Sequence, residues 1–363
     1  MALYRRIKTK QKLVKCYDLG TGFVVEQKNG NISVTYIHPR PTIFAPGSGS
    51  LQFLPFPLSS FFTNQNLFRM KRTLYRLLSL GLLGTLAVSC SKDETVAPSA
   101  PTAVSQSFDA TRDSHLTMGN PSGAVTDATN SPNNYLMSKT QYVLSYSRAQ
   151  GKPNWVSWHL SSAWVGSTPR QDNFAADATL PSGWFRATNT SYTGSGFDRG
   201  HNCPSADRTG SVADNSATFL MTNMMPQSAN NNQKAWANLE NYCRTLINAG
   251  NELYIICGSY GTGGTGVNGY ATTIAGGNIT VPARTWKVIV VLPEGSSDAS
   301  RVTTSTRVIA INTPNDQSVG TTWGTYRTSV DAIEAATGYN ILSAVSSTVQ
   351  ATIEARVDAG PTS

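Results

Sequence analysis

The sequence predicts an α+β fold, a mainly antiparallel central sheet flanked by helices, on three observations. Aromatic and β-branched runs of strand length follow one another closely, with Gly and Pro between them, as in hairpins. Helical spacing is confined to 231–249 and 330–336. The elements alternate irregularly, without an internal repeat from Ser107 onward and without the strand–helix–strand succession of a doubly wound parallel sheet.

The elements follow in order. Tyr142-Val143-Leu144-Ser145-Tyr146 and Asn154-Trp155-Val156-Ser157-Trp158-His159-Leu160, split by Gly151-Lys152-Pro153, read as a hairpin. A polar loop over 161–196 leads to an extended Phe197-Asp198-Arg199-Gly200-His201. Residues 218–223 read as a buried strand, and Pro226-Gln227 as the opening of a turn. The helix over 231–249 has Gly250 as its C-terminal cap. An apolar strand over 253–257 is expected to stop at Gly258. The Gly/Thr-rich stretch 261–269 lacks the Lys-Ser/Thr of a phosphate-binding loop and reads as a plain connection. Strands over 285–292 and 307–312 and a helix over 330–336 complete the chain.

The N-terminal third needs separate treatment. Met70-Lys71-Arg72 with Arg76 is a positive n-region, 77–88 is a short apolar run, and Leu86-Ala87-Val88-Ser89-Cys90 resembles a bacterial lipobox. That run is too short to span a bilayer, so 70–89 is expected to be a lipoprotein signal peptide and Cys90 the lipidated first residue. A signal of this kind acts at the start of a chain, so 1–69 are expected to be an untranslated or disordered extension. Residues 90–110 form a tether rich in Pro, Ser, Ala and Thr, and 111–360 the folded domain. Of the net charge of +8, residues 1–69 hold +7 and 70–90 hold +3, which leaves −2 on the remainder. General basicity therefore cannot hold a polyanion to the folded domain, and such a site must be made by local arginines.

Chemistry-bearing residues gather at two places. Asp198-Arg199-Gly200-His201 combines a carboxylate, a guanidinium and an imidazole. About thirty residues on, 232–240 carries a neutral amide at Asn232 and a carboxylate at Glu240. A base to take a proton from water, oxygen donors for a hard divalent cation and positive charge for a pentacovalent phosphorus suit phosphodiester cleavage. On a regular helix Glu240 and Arg244 would lie about 80° and 120° around from Asn232, and would neighbour each other at i,i+4. His115 and His159 have no such company and read as structural.

Asp-Arg-Gly-His at 198–201, Thr-Asn-Met-Met-Pro-Gln at 222–227 and Asn-Gln-x-x-Trp-x-x-Leu-Glu at 232–240 resemble the DNA/RNA non-specific endonuclease family, the ββα-metal nucleases that include endonuclease G. The similarity runs from about His115 to Gly338. The resemblance implies a ββα-metal nuclease core, with His201 as general base and Asn232 as ligand of Mg²⁺, or Mn²⁺ in its place. It further gives Glu240 a contact to the ion through water, Arg244 a phosphate contact, and Arg170 the stabilisation of transition-state charge. Arg199 would steady phosphate or architecture, and Asp198 would orient its neighbours. If His201 faces Asn232, the thiols of Cys203 and Cys243 could meet, and export would permit their disulfide. Cys257 is expected to be buried and free.

The reading is a Mg²⁺-dependent, sugar-non-specific endonuclease of DNA and RNA, anchored through Cys90 to a bacterial cell envelope, at the outer membrane or cell surface. The alternative is a non-catalytic lipoprotein that captures nucleic acid or a protein partner; a binding module has no use for a general base. A toxin with a cognate inhibitor protein would need a delivery domain, and the sequence shows none.

Overall fold

The computed structural model describes residues 112–363 and, as backbone, three strands nearer the N-terminus. The chain divides into two units, Met1–Thr95 and Val96–Ser363. In the first, β1 (Val14–Tyr17), β2 (Phe23–Lys28) and β3 (Asn31–Tyr36) form an antiparallel meander. These strands occupy part of 1–69, the stretch expected to be an untranslated or disordered extension. Phe23-Val24-Val25 and the β-branched residues of β3 are strand formers, and Asn29-Gly30 between them is the dipeptide favoured in two-residue hairpin loops. The signal segment 70–89, Cys90 and the tether to 110 lie outside the described residues. Among the described residues, no helix is long and apolar enough to cross a membrane.

The second unit is built on one six-stranded sheet. Its strands are β4 (Tyr135–Ser138), β5 (Val143–Ser147), β6 (Lys152–Leu160), β9 (Asn251–Tyr260), β14 (Arg284–Pro293) and β15 (Arg307–Pro314), in the order β15-β14-β9-β6-β5-β4. Every neighbouring pair is antiparallel, as the hairpin reading required. Side chains alternate across a strand, and both faces of this sheet are covered. Leu253, Ile255 and Cys257 of β9 enter one core with Trp158 and Ile289, whereas Tyr254 and Ile256 enter the other with Trp155 and Val288.

Between β6 and β9 the chain builds a ribbon and a helix. β7 (Asp198–His201) pairs antiparallel with β8 (Met224–Gln227), with α1 (Val212–Ala217) between them. After β8 come a π-helical turn, Asn231–Trp236, and α2 (Ala237–Asn248), which Gly250 closes at φ 84°. Leu239, Tyr242, Cys243 and Ile247 put one face of α2 into the first core, at about 1.5–3 kcal/mol for each large side chain removed from water. On the opposite face lie α4 (Val330–Thr337) and α5 (Ser347–Ile353), through Val330, Ile333 and Ile353. The short α3 (Asp298–Arg301) precedes β15.

Four local expectations are corrected. Residues 221–223 form a 3₁₀ turn instead of a strand, because Asn223 uses its amide on the carbonyls of Cys203 and Thr218 and accepts from the Cys203 amide. The strand comes next and contains Pro226-Gln227; a two-stranded ribbon tolerates a proline that cannot donate. β9 runs on through Gly258 to Tyr260, where the glycine serves close approach: a Cβ there would lie 2.3 Å from the Asn154 carbonyl. The stretch 261–269 holds β10 (Gly264–Gly266), paired with β11 (Gly269–Ala271), and a second small ribbon, β12 (Thr273–Ile274) with β13 (Ile279–Thr280), follows.

Candidate active site

The site is assembled where the β7–β8 ribbon meets the π-helical turn. Gly200 allows the two strands to close, since a Cβ there would lie 2.3 Å from Gln227 Oε1 and 3.1 Å from the Met225 carbonyl oxygen. Opposite β7, the π turn brings its polar side chains to the ribbon. Asn232 Nδ2 and Gln233 Nε2 both donate to Asp198 Oδ2 at 2.8 Å. The other two asparagines of the run are spent elsewhere. Asn230 donates to the Gln317 carbonyl, and buried Asn231 donates to Thr285 and to the Pro314 carbonyl. Asn232 is the one of the three that meets Asp198.

A cleft of about 320 Å³ opens over this junction, lined among others by Arg170, Phe174, Asp198, Arg199, Asn232 and Gln233. Arg170 stands exposed at its rim, bonded through Nε to Asp172 at 2.6 Å and through Nη1 to Ser205 at 2.8 Å. The Arg199 guanidinium lies 4.3 Å from the centre of the Phe174 ring and donates to Asn189.

His201 is packed directly against the cleft wall, its ring 5.6 Å from Phe174 and 5.0 Å from Phe219 in edge-on contacts. One ring nitrogen donates to the Arg199 carbonyl. Nε2 is buried without a partner, so the bonded nitrogen is Nδ1 and Nε2 carries a free lone pair. Burial, then the positive charges of Arg170 and Arg199, lower the imidazole pKa from 6.5 to about 3. The ring is neutral at ordinary pH.

Glu240 and Arg244 are not in the cleft lining and do not pair with each other. Glu240 Oε1 accepts from Lys287 Nζ at 3.1 Å, and Arg244 Nη1 reaches Asp207 Oδ1 at 2.7 Å. The angles expected of a regular helix fail because the π turn winds more residues into each turn between Asn232 and α2. Lys287 is fully buried, with its ammonium 4.1 Å from the Trp236 ring centre and 5.6 Å from that of Trp158. Although burial alone would lower it, the Lys287 pKa is held up by Glu240. Sequence reasoning passed over Lys287 and Asp207. A lone cation in the apolar run of β14 was the visible signal for the first; nothing local marked the second.

Cys203, Cys243 and Cys257 are all free and buried, which corrects the Cys203–Cys243 disulfide. The chain bends after His201, so Cys203 does not continue an extended strand, and the π turn changes the angular position of Cys243. Burial pushes the Cys203 and Cys243 thiols up to about 12. Cys257 donates to Asn202 Oδ1 at 3.3 Å.

Two places offer donors to a divalent metal. Asp113, His159 and Glu252 lie close enough to share an ion, but His159 Nδ1 already accepts from the Asp113 amide and Nε2 bonds Glu252 at 2.9 Å. Arg301 supplies Glu252 with a cation, so these groups already satisfy one another in an internal ion-pair network. At the cleft, Asn232 has its nitrogen tied to Asp198 and its Oδ1 in no hydrogen bond among the described residues. A neutral oxygen beside a carboxylate suits a hard ion that keeps most of its waters.

An antiparallel sheet carrying a ββα junction, with a lone-pair imidazole between arginines and an amide oxygen open to a cation, defines the class as a nuclease of the ββα-metal type. A family profile for DNA/RNA non-specific endonucleases matches residues 120–348. A nuclease of Nostoc sp. is 48% identical over 281 residues, covering 77% of this chain and 97% of that one. The mitochondrial nuclease EXOG of Danio rerio is 34% identical over 45% of this chain and 49% of its own. Human mitochondrial endonuclease G is 30% identical over 51% of this chain and 62% of its own. In a solved complex of EndoG with EndoGI, a chain superposes with a TM-score of 0.52 at 23% identity, over 64% of this chain and 91% of that one, which shows the fold. The chain belongs to the DNA/RNA non-specific endonuclease family. It is a DNA/RNA endonuclease, a phosphodiester hydrolase of a family that depends on a divalent metal.

Proposed function

We propose that the protein hydrolyses DNA and RNA with little regard to sugar or sequence, using His201 as general base and a Mg²⁺ ion, or Mn²⁺ in its place, on Asn232. The observation that carries this reading is the His201 imidazole, with Nδ1 fixed on a backbone carbonyl and Nε2 buried and unpartnered. A fixed tautomer with a bare lone pair is what a base needs to take a proton from attacking water. When bound, the ion would polarise a phosphate oxygen and offset the charge of the pentacovalent phosphorus.

The chain's own residues supply the rest. Arg170 and Arg199 offer guanidinium groups to phosphate oxygens across the cleft. Asp198 holds the Asn232 amide by its nitrogen, which turns the oxygen over to the ion. Glu240 gives Oε1 to Lys287, so in this reading only Oε2 would remain for a water-mediated contact with the ion. Arg244 has both Nη groups committed, to Asp207 and Asn241, and supports α2 rather than touching phosphate. Recognition through phosphate oxygens accounts for indifference to base and 2′-hydroxyl. The proposal extends to a location at the bacterial envelope, anchored through Cys90, on the resemblance of 86–90 to a lipobox.

The test is cleavage of supercoiled plasmid and of RNA by the purified protein with Mg²⁺ or with EDTA, beside Asn232→Ala. Metal-dependent loss of both polymers, weakened in the variant at low Mg²⁺ and partly restored at high Mg²⁺, supports the assignment. Retention of nucleic acid without cleavage by folded wild-type protein would overturn it in favour of a capture lipoprotein.

A further inference from the structure

On the face of the sheet away from the cleft, three carboxylates converge. Asp331 and Glu334 stand one turn apart at the start of α4, and Glu354 follows the last residue of α5. One oxygen from each lies within 4.8 Å of the others. None of the three forms an ion pair with Lys or Arg among the described residues. Arg356, two residues beyond Glu354, gives its guanidinium to the Thr304 carbonyl instead.

Three carboxylates on a protein surface need no ligand, but Glu354 is not on the surface. It is 5% exposed, and its Oε1 is buried without a hydrogen-bond partner. Burying an unsatisfied carboxylate oxygen is costly, and doing so beside two more carboxylates compounds the cost. The surroundings fix it there. The Asp331 amide donates to the Glu354 carbonyl at 3.1 Å, and the Ile341 amide donates to Glu334 Oε1 at 2.7 Å. Val330, Ile333 and Ile353 are held in the core behind them. The backbone of the three residues is therefore held together by the docking of both helices.

We propose that Asp331, Glu334 and Glu354 form a structural Ca²⁺ site that clamps α4 to the end of α5. The donor set is all oxygen and all anionic, which a hard cation requires. Calcium accepts six to eight ligands in irregular geometry, whereas Mg²⁺ demands a near-ideal octahedron. Exposed Asp331 leaves the outer side of the site open to the waters that would complete the shell. The proposal is independent of the catalytic reading, since the site lies on the opposite face of the sheet.

The experiment is thermal unfolding of the full chain in EDTA, in Ca²⁺ and in Mg²⁺, on an Asn232→Ala background that removes the cleft's contribution. At Ca²⁺ about a hundredfold above Kd, the melting temperature should rise by roughly 5–10 °C, with one Ca²⁺ bound per chain by equilibrium dialysis. Glu354→Gln should abolish both the rise and the bound ion. Asp331→Asn, at an exposed position, should do the same if Glu354→Gln does not fold. No rise with Ca²⁺, an equal rise with Mg²⁺, or a rise that survives both substitutions would overturn the proposal.

Discussion

His201 should behave as a neutral base far into the acid range, and this can be worked through from its surroundings. Burial, Arg170 and Arg199 bring its pKa from 6.5 to about 3. An ordinary histidine is about 90% neutral at pH 7.5 and about 10% at pH 5.5, so a base of that kind would lose about tenfold in kcat/KM between them. The structure predicts less than a twofold change from His201 over the same range. Linkage has the same sign: the unfolded chain binds a proton near 6.5 that the folded chain refuses until about 3, so His201 costs stability as pH falls through that window. Arg170→Gln should move the acid limb upward without bringing it to 6.5, because burial is the larger cause. The assays are pH profiles of kcat/KM on a short duplex and nitrogen-15 NMR of the imidazoles. A His201 resonance titrating near 6.5, with a matching tenfold limb, would refute the reasoning.

Other outcomes follow from the same geometry. Gly200→Ala should force β7 off Gln227 and Met225, with about 1–3 kcal/mol lost in denaturant unfolding and a larger fall in cleavage than in nucleic-acid binding. Lys287→Met should cost about 3–5 kcal/mol by leaving Glu240 buried without its cation, and Glu240→Gln in the same chain should recover most of it. Lys152 is fully buried against Ser259, and burial lowers its pKa from 10.5 to about 7. Stability from this residue is therefore lost as pH falls from 10.5 toward 7, and Lys152→Met should flatten that slope and stabilise the protein by about 2–3 kcal/mol at pH 6, after the lost hydrogen bonds are counted.

The sheet was legible because its strands write their own signal. Val, Ile and Trp runs such as 154–160 and 285–292 lie buried on both sides, and the short link at 148–151 admits only an antiparallel neighbour. Asp198, Arg199, His201 and Asn232 were legible as motif residues, and four sequence-expected positions, Arg170, Asp198, Arg199 and Asn232, do line one cleft. What the sequence hid was set by tertiary contacts. The π turn at Asn231–Trp236 has no composition of its own, yet it undoes regular angular bookkeeping for Glu240, Arg244 and Cys243. Asn223 replaced an expected strand by a turn because its side chain found the Cys203 carbonyl, twenty residues away, besides that of Thr218. Gly258 looked like a stop and is instead a point of close approach between β6 and β9, where a Cβ would lie 2.3 Å from the Asn154 carbonyl oxygen.

The most direct test of the account is single-turnover cleavage of plasmid and RNA by wild type and His201→Ala at saturating Mg²⁺, with substrate binding followed in parallel. Cleavage of both polymers should fall by at least a hundredfold or so, with binding and folding retained. Cleavage by His201→Ala at near wild-type rate would contradict it, and would place the base elsewhere in the cleft.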